Sequence, residues 1–255
     1  MRETSTVEVT AAPGVVRLIL SRPPLNILTT TMMRELESAL GTAAGDPTAR
    51  AIVIAARGKA FSAGVDVGEH TREKVGTMIA AFHSLCRTLV EIDVPTIAAV
   101  AGPALGGGCE LAALCDIVVA AESATIGQPE IRFGVFPPVA AAAFPLLLGR
   151  AGLGPVLLGE ALPASRARQM GLVTEVVPDG AVEEAVQRIV GTLAGLSAAA
   201  LRLTKRAAMA GFRRQFAEAL DHAERVYLHE LMNTADAHEG LEAFLAKRPP
   251  VWQHR

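Results

Sequence analysis

Four short apolar runs constrain the fold most strongly: Val15 to Leu20, Ala51 to Ala56, Thr96 to Ala101 and Ile117 to Ala120. Each has the length of a buried strand and is too short for a core helix. Helical patterns or glycine-bearing loops separate them. Thr30 or Thr31 can cap a helix through Met33, Leu36 and Leu40 that Gly45-Asp46-Pro47 stops. A second helix spans about Lys74 to Ile92, with apolar residues spaced three and four apart, and Pro95 forces its exit. Gly58 to Asp66 reads as a loop, Gly106-Gly107-Gly108 as a turn and Cys109 to Leu114 as a helix. Strands alternating with helices give an α/β fold with a mostly parallel sheet, wound by right-handed crossovers into a superhelix.

After Gly134 the pattern turns helical, with Ala181 to Leu196, Ser197 to Ala210 and Phe212 to Leu231 as separate helices and only Val173 to Val177 strand-like. This divides the chain into a core over residues 1–195 and a C-terminal helical region over 196–255. Apolar residues make up 51% of the chain and aromatics 4%, so the core is built from small aliphatic side chains that let backbones approach closely.

The 24 Lys and Arg balance 26 Asp and Glu without a basic stripe, which argues against nucleic acid as a partner. The two longest apolar stretches are interrupted or only about 14 residues long, short of the roughly 20 that span a bilayer, so no membrane association is expected. Cys86, Cys109 and Cys115 form no CxxC pair and no signal-peptide pattern opens the chain, which points to the cytoplasm. The histidines form no HExxH and read as helix-surface residues, so no metal is expected.

Three elements carry chemistry. Pro103 to Leu111, PALGGGCEL, lies between a strand and a helix, where glycines let the backbone approach a ligand and the first N–H groups of the helix have no internal acceptor. A tight turn without a ligand is the alternative reading. Neither a nucleotide P-loop nor a dinucleotide turn fits, so ATP and NAD are disfavoured. Lys59 to Asp66, KAFSAGVD, can expose the Val65 amide in the same way, with an Asx-capped turn as the alternative. Two such amides would stabilise negative charge developing on a thioester oxygen. Third come two carboxylates. Glu110 sits in an apolar run, where an unpaired charge is expensive, so a polar cleft is expected in front of it. Glu130 follows in Gly-Gln-Pro-Glu, and a second carboxylate nearby would raise one pKa, as an acid and base pair requires.

Together and in this order, FSAGVD (61–66), ALGGGCELAALCD (104–116) and GQPEIRFG (127–134) resemble the crotonase (enoyl-CoA hydratase/isomerase) superfamily. The resemblance implies a ββα superhelix with a C-terminal helical region, assembled as a homotrimer or a hexamer of two trimers. It implies an acyl-CoA substrate with no metal or other cofactor. Carried over by position, Val65 and Gly107 are the oxyanion amides and Glu110 and Glu130 the catalytic carboxylates, while Ser62, Ala63, Asp66 and Gly106 contact the substrate or its CoA. Keeping both glutamates favours hydration. An isomerase, a thioester hydrolase or a non-catalytic acyl-CoA-binding subunit would share the scaffold. Phe136-Pro137-Pro138-Val139 departs from the Pro-Gly and Gly-Gly-Thr pattern common in the family, and with RPPLNIL (22–28) it resembles hydratases of cyclic dienoyl-CoA thioesters. Cys109 and Asp116 are assigned packing and turn-closing roles, and Phe244, Lys247 and Arg248 a solvated helix face.

Overall fold

The computed structural model describes residues 5–71 and 73–255. β1 (Val7–Ala12) and β2 (Val15–Leu20) form an antiparallel hairpin, and β3 (Ala51–Ala56) runs parallel to β2 in the register Val15 to Ala51. β1 escaped the sequence reading because most of its side chains are exposed, leaving no apolar run to see. Between β2 and β3, α1 (Thr30–Gly45) buries Met32, Met33, Leu36 and Leu40. Its cap is Thr29 rather than Thr30 or Thr31: the Thr29 hydroxyl accepts from Met32 N at 3.3 Å.

α2 (Val75–Glu91) and β4 (Thr96–Val100) follow, then β5 (Ala104–Leu105), α3 (Gly107–Ala113), β6 (Ile117–Ala121) and β7 (Thr125–Gly127). Here α3 begins two residues before the expected Cys109. Gly106 alone makes the turn, and Gly107 and Gly108 already lie in the first helical turn.

The remainder comprises α4 (Pro138–Leu148), α5 (Leu153–Leu158), β8 (Ala161–Pro163), α6 (Ala164–Met170), β9 (Glu175–Val177), α7 (Val182–Ala194), α8 (Ala198–His229) and α9 (Ala235–Leu245). Among the described residues the main sheet has the order β1-β2-β3-β4-β6-β9, parallel except for β1, and a small second sheet has the order β5-β7-β8. Every residue of β4 is buried, as expected for a strand covered on both faces.

The two helices expected on either side of Gly211 are one, α8. A glycine inside a helix costs about 1 kcal/mol, which packing of the flanking turns against α2 and α4 outweighs. Lys205 of α8 reaches the sheet, with its ammonium 2.6 Å from Asp116 Oδ2 and donating to Val94 O at 3.1 Å. Asp116 also accepts from Thr96 N at 2.7 Å, which closes the turn into β6. Residues Pro138–Leu158 have the length and mean hydropathy (1.6) of a membrane span. The chain nevertheless breaks there at Gly149 (φ +59), and the α4 face bearing Val139, Ala140, Ala143 and Phe144 is buried.

Candidate active site

The two glycine loops are pinned to one another by backbone hydrogen bonds. Phe61 N donates to Pro103 O at 2.9 Å, and Leu105 N donates to Ser62 O at 2.9 Å. Residues on either side of Val65 pair with Leu28, whose N–H donates to Gly64 O (2.9 Å) and whose carbonyl accepts from Asp66 N (3.1 Å). This alternation turns the intervening Val65 N–H away from Leu28. On the other loop Gly106 has φ +52 and its carbonyl accepts from Glu110 N at 3.0 Å, opening α3. Gly107, the first helical residue, has no intrahelical acceptor for its N–H. Among the described residues neither the Val65 nor the Gly107 amide donates to a protein acceptor. The loops touch here: a Cβ on Gly107 would lie 2.8 Å from Val65 Cγ2. Two neighbouring, unspent donors are what a thioester oxygen requires as it takes on charge.

They open onto a cavity of about 320 Å³ whose wall includes Glu110 and Glu130. Glu110 is 3% exposed, and its Oε1 accepts from Ala140 N, in the first turn of α4, at 2.6 Å. Glu130 opens a 3-10 turn, Glu130–Phe133. One of its oxygens lies so close to Gly106 that a Cβ there would collide with it. Its other oxygen, Oε2, is buried without a protein partner.

The expected polar cleft is instead a largely apolar cavity walled by Phe82, Phe133, Phe136, Pro137 and Pro138. Burial, ahead of any charge, pushes Glu110 up to about 8, and the Ala140 and Val139 N–H groups pull back toward the carboxylate. Burial raises Glu130 well above the carboxylate range, and the charge of Glu110 adds to it. Both carboxyls rise, where the sequence reading foresaw one.

Ala63 and Gly106 line the cavity as expected of substrate contacts, whereas Ser62 and Asp66 do not. Ser62 is fully buried, its hydroxyl donating to Asn26 O (2.8 Å) and accepting from Gly64 N (3.2 Å). The Asp66 carboxylate accepts from Gly68 N (2.9 Å) and caps the turn Val67–Glu69. Both shape the first loop from behind. Cys109 is fully buried and its thiol is pushed far up by burial, which leaves it inert as a nucleophile. Among the described residues no His, Cys, Asp and Glu cluster suits a metal ion.

Residues 10–255 match the enoyl-CoA hydratase/isomerase family. The chain belongs to that family. It is 37% identical over 243 residues to the cyclohexa-1,5-dienecarbonyl-CoA hydratase of Thauera aromatica, covering 95% of this chain and 94% of that protein. A probable enoyl-CoA hydratase of Mycobacterium bovis is 37% identical over 257 residues and 99% of both chains. Among solved structures, an enoyl-CoA hydratase from Mycobacterium avium subsp. paratuberculosis K-10 superposes with a TM-score of 0.88 at 31% identity, over 97% of this chain and 98% of that one. The α/β superhelix is thus the crotonase fold.

The lining of this crotonase cavity extends beyond the expected site residues, and His70, Tyr227, Leu241 and Phe244 are among the additions. His70 is no helix-surface residue. It sits on the cavity wall with Nδ1 3.1 Å from Asp66 O, and burial lowers its pKa. Nor is His83, which is 2% exposed on α2 with Nδ1 2.6 Å from Glu224 Oε2. Phe244, expected on a solvated helix face, is indeed 44% exposed, but its ring also packs on Phe133 with centroids 4.5 Å apart and reaches the cavity. The available signal was spacing: Leu241 and Phe244 are three apart on α9, one apolar edge of a short helix.

Proposed function

We propose that the chain is an enoyl-CoA hydratase that adds water across the α,β double bond of an enoyl thioester. The observation that carries this reading is the placement of two buried carboxylates on the wall of an apolar cavity beside two unspent amides. The thioester oxygen sits on the Val65 and Gly107 N–H groups. Glu110, which the Ala140 N–H favours as an anion, takes a proton from water as its oxygen attacks Cβ. Glu130, held neutral by burial and by the neighbouring Glu110 charge, delivers a proton to Cα. After turnover the carboxyls have exchanged one proton, which solvent or the next water resets. The reaction needs nothing beyond CoA in the substrate, so we assign no metal or further cofactor.

For the acyl group we propose a cyclic dienoyl thioester. The ring-rich wall of Phe82, Phe133, Phe136, Pro137 and Pro138 supports it, as does the likeness to the Thauera enzyme. We further assign the protein to the cytoplasm as a homotrimer or a hexamer of two trimers. Residues 196–255, set against the core of 1–195, close the cavity through Tyr227, Leu241 and Phe244 and contribute to assembly. Exposed leucines at 146, 147, 153, 157 and 158 offer a further apolar face for that assembly.

The test is turnover of crotonyl-CoA and cyclohexa-1,5-diene-1-carbonyl-CoA, following loss of the conjugated thioester absorbance and product mass. A gain of one water, with the cyclic substrate preferred, is expected. A shifted double bond at unchanged mass, or released CoA, would replace this reading with isomerase or hydrolase.

A further inference from the structure

Tyr227, near the end of α8, is 1% exposed and stands edge-on to Phe136, with ring centroids 5.3 Å apart and planes at 79°. The ring belongs to the cavity wall. A buried tyrosine hydroxyl ordinarily has a protein partner. The Tyr227 hydroxyl makes no protein hydrogen bond among the described residues and is not enclosed by protein, as expected of a polar tip on the cavity wall. It lies in the field of the reacting groups: after burial, the charges of Glu130 and then Glu110 are what push its ionisation up.

Several other polar atoms on the cavity wall are already committed. Glu110 Oε1 holds Ala140 N, His70 Nδ1 is bonded to Asp66 O, and the Val65 and Gly107 amides are reserved for the thioester oxygen. The phenol is an uncommitted donor whose proton the reaction does not consume, and Glu130 Oε2 is without a protein partner. A water about to attack Cβ spends one lone pair on carbon and one hydrogen on Glu110. It keeps one lone pair and one hydrogen to be satisfied in an otherwise apolar space. A buried water typically makes about three hydrogen bonds, so two contacts alone would leave it free to turn.

We propose that the Tyr227 hydroxyl donates a hydrogen bond to the oxygen that becomes the β-hydroxyl, so that Tyr227 is a third catalytic side chain beside Glu110 and Glu130. The water's remaining hydrogen points to Glu130 Oε2. In the reverse direction the same phenol O–H supports the departing hydroxide oxygen as Glu110 returns its proton. Tyr227 itself neither gains nor loses a proton. This inference rests on the hydratase reading above.

The test compares wild type and Tyr227→Phe, which keeps the ring on Phe136, in two assays. One is steady-state hydration. The other is solvent-deuterium exchange at Cα of butyryl-CoA, which uses the amide pair and a carboxylate but no attacking water. The expected result is an about tenfold fall in kcat for hydration, the size of one lost hydrogen bond, with KM and Cα exchange unchanged. An unchanged kcat, or hydration and exchange falling together, would overturn the role of Tyr227 and leave the hydratase reading standing. Cα exchange by the wild type with no hydration of any thioester would overturn both.

Discussion

The loop side of the cavity and its C-terminal side are built differently. Phe61 and Ser62 are tied to Pro103 and Leu105 by successive backbone hydrogen bonds, with glycines placed where a Cβ would strike Val65, Ser62 or Glu130. Phe133, Phe136, Tyr227, Leu241 and Phe244 come from separate segments and meet through ring and aliphatic contacts. Directional bonds fix donors to the fraction of an ångström that transition-state stabilisation requires, whereas apolar contacts can be resized without breaking a network. On the proposed reading the first side, with Glu110 and Glu130, carries the reaction, and the second, apart from the Tyr227 hydroxyl, selects the acyl group.

That division can be broken in several places. Replacing Glu110 or Glu130 by Gln should have the largest effect, lowering kcat by about 10³-fold or more, since each supplies one proton transfer. Rates measured with crotonyl-CoA check this. Next comes Gly106→Ala, which forces a side chain into a left-handed position and onto the Glu130 carboxylate. A roughly 10²-fold fall in kcat with modest change in KM is expected from steady-state kinetics. Leu241→Ala and Phe244→Ala should change the ratio of kcat/KM between linear and cyclic thioesters by less than about tenfold, leaving the hydrated product the same. An equal loss for every substrate would dissolve the contrast between the two sides.

The smallest effect is on stability. Glu110 holds its proton more tightly folded, near 8, than in the unfolded chain, near 4.5. Between those values the folded protein carries more protons than the unfolded one, so stability falls as pH rises through that window. Glu110→Gln keeps an acceptor for Ala140 N–H and removes the titration. Its melting temperature at pH 8 should exceed that of wild type by about 3–6 °C, and the gap should close at pH 4.5.

What could be read from the sequence follows the same contrast. Glycine spacing, an acidic residue in an apolar run and short β-rich segments are local signals that point to the parallel strands, both loops, Val65, Glu110 and Glu130, and the family resemblance adds Gly107; all four residues lie on the cavity wall. In the same motif Asp66 caps the following turn, as the Asx-capped alternative had it, whereas the Ser62 hydroxyl bonds the backbone of Asn26 and Gly64, a role visible only once the loop is folded. Tyr227 and Phe244 reach the cavity from more than ninety positions beyond Glu130 along the chain, by the packing of α8 on α4 and of α9 on the 3-10 turn at Glu130–Phe133. No local pattern encodes that approach. The continuity of α8 through Gly211 was hidden for a related reason: tertiary contacts, not propensity, carry the helix across.

The most direct measurement is the mass of the product formed in H₂¹⁸O by wild type and by Glu110→Gln. One ¹⁸O gained at Cβ by the wild type, and none by the variant over the same interval, is the result expected of a water activated between two buried carboxylates. Incorporation by Glu110→Gln at the wild-type rate, or wild-type turnover without ¹⁸O at carbon, would contradict it.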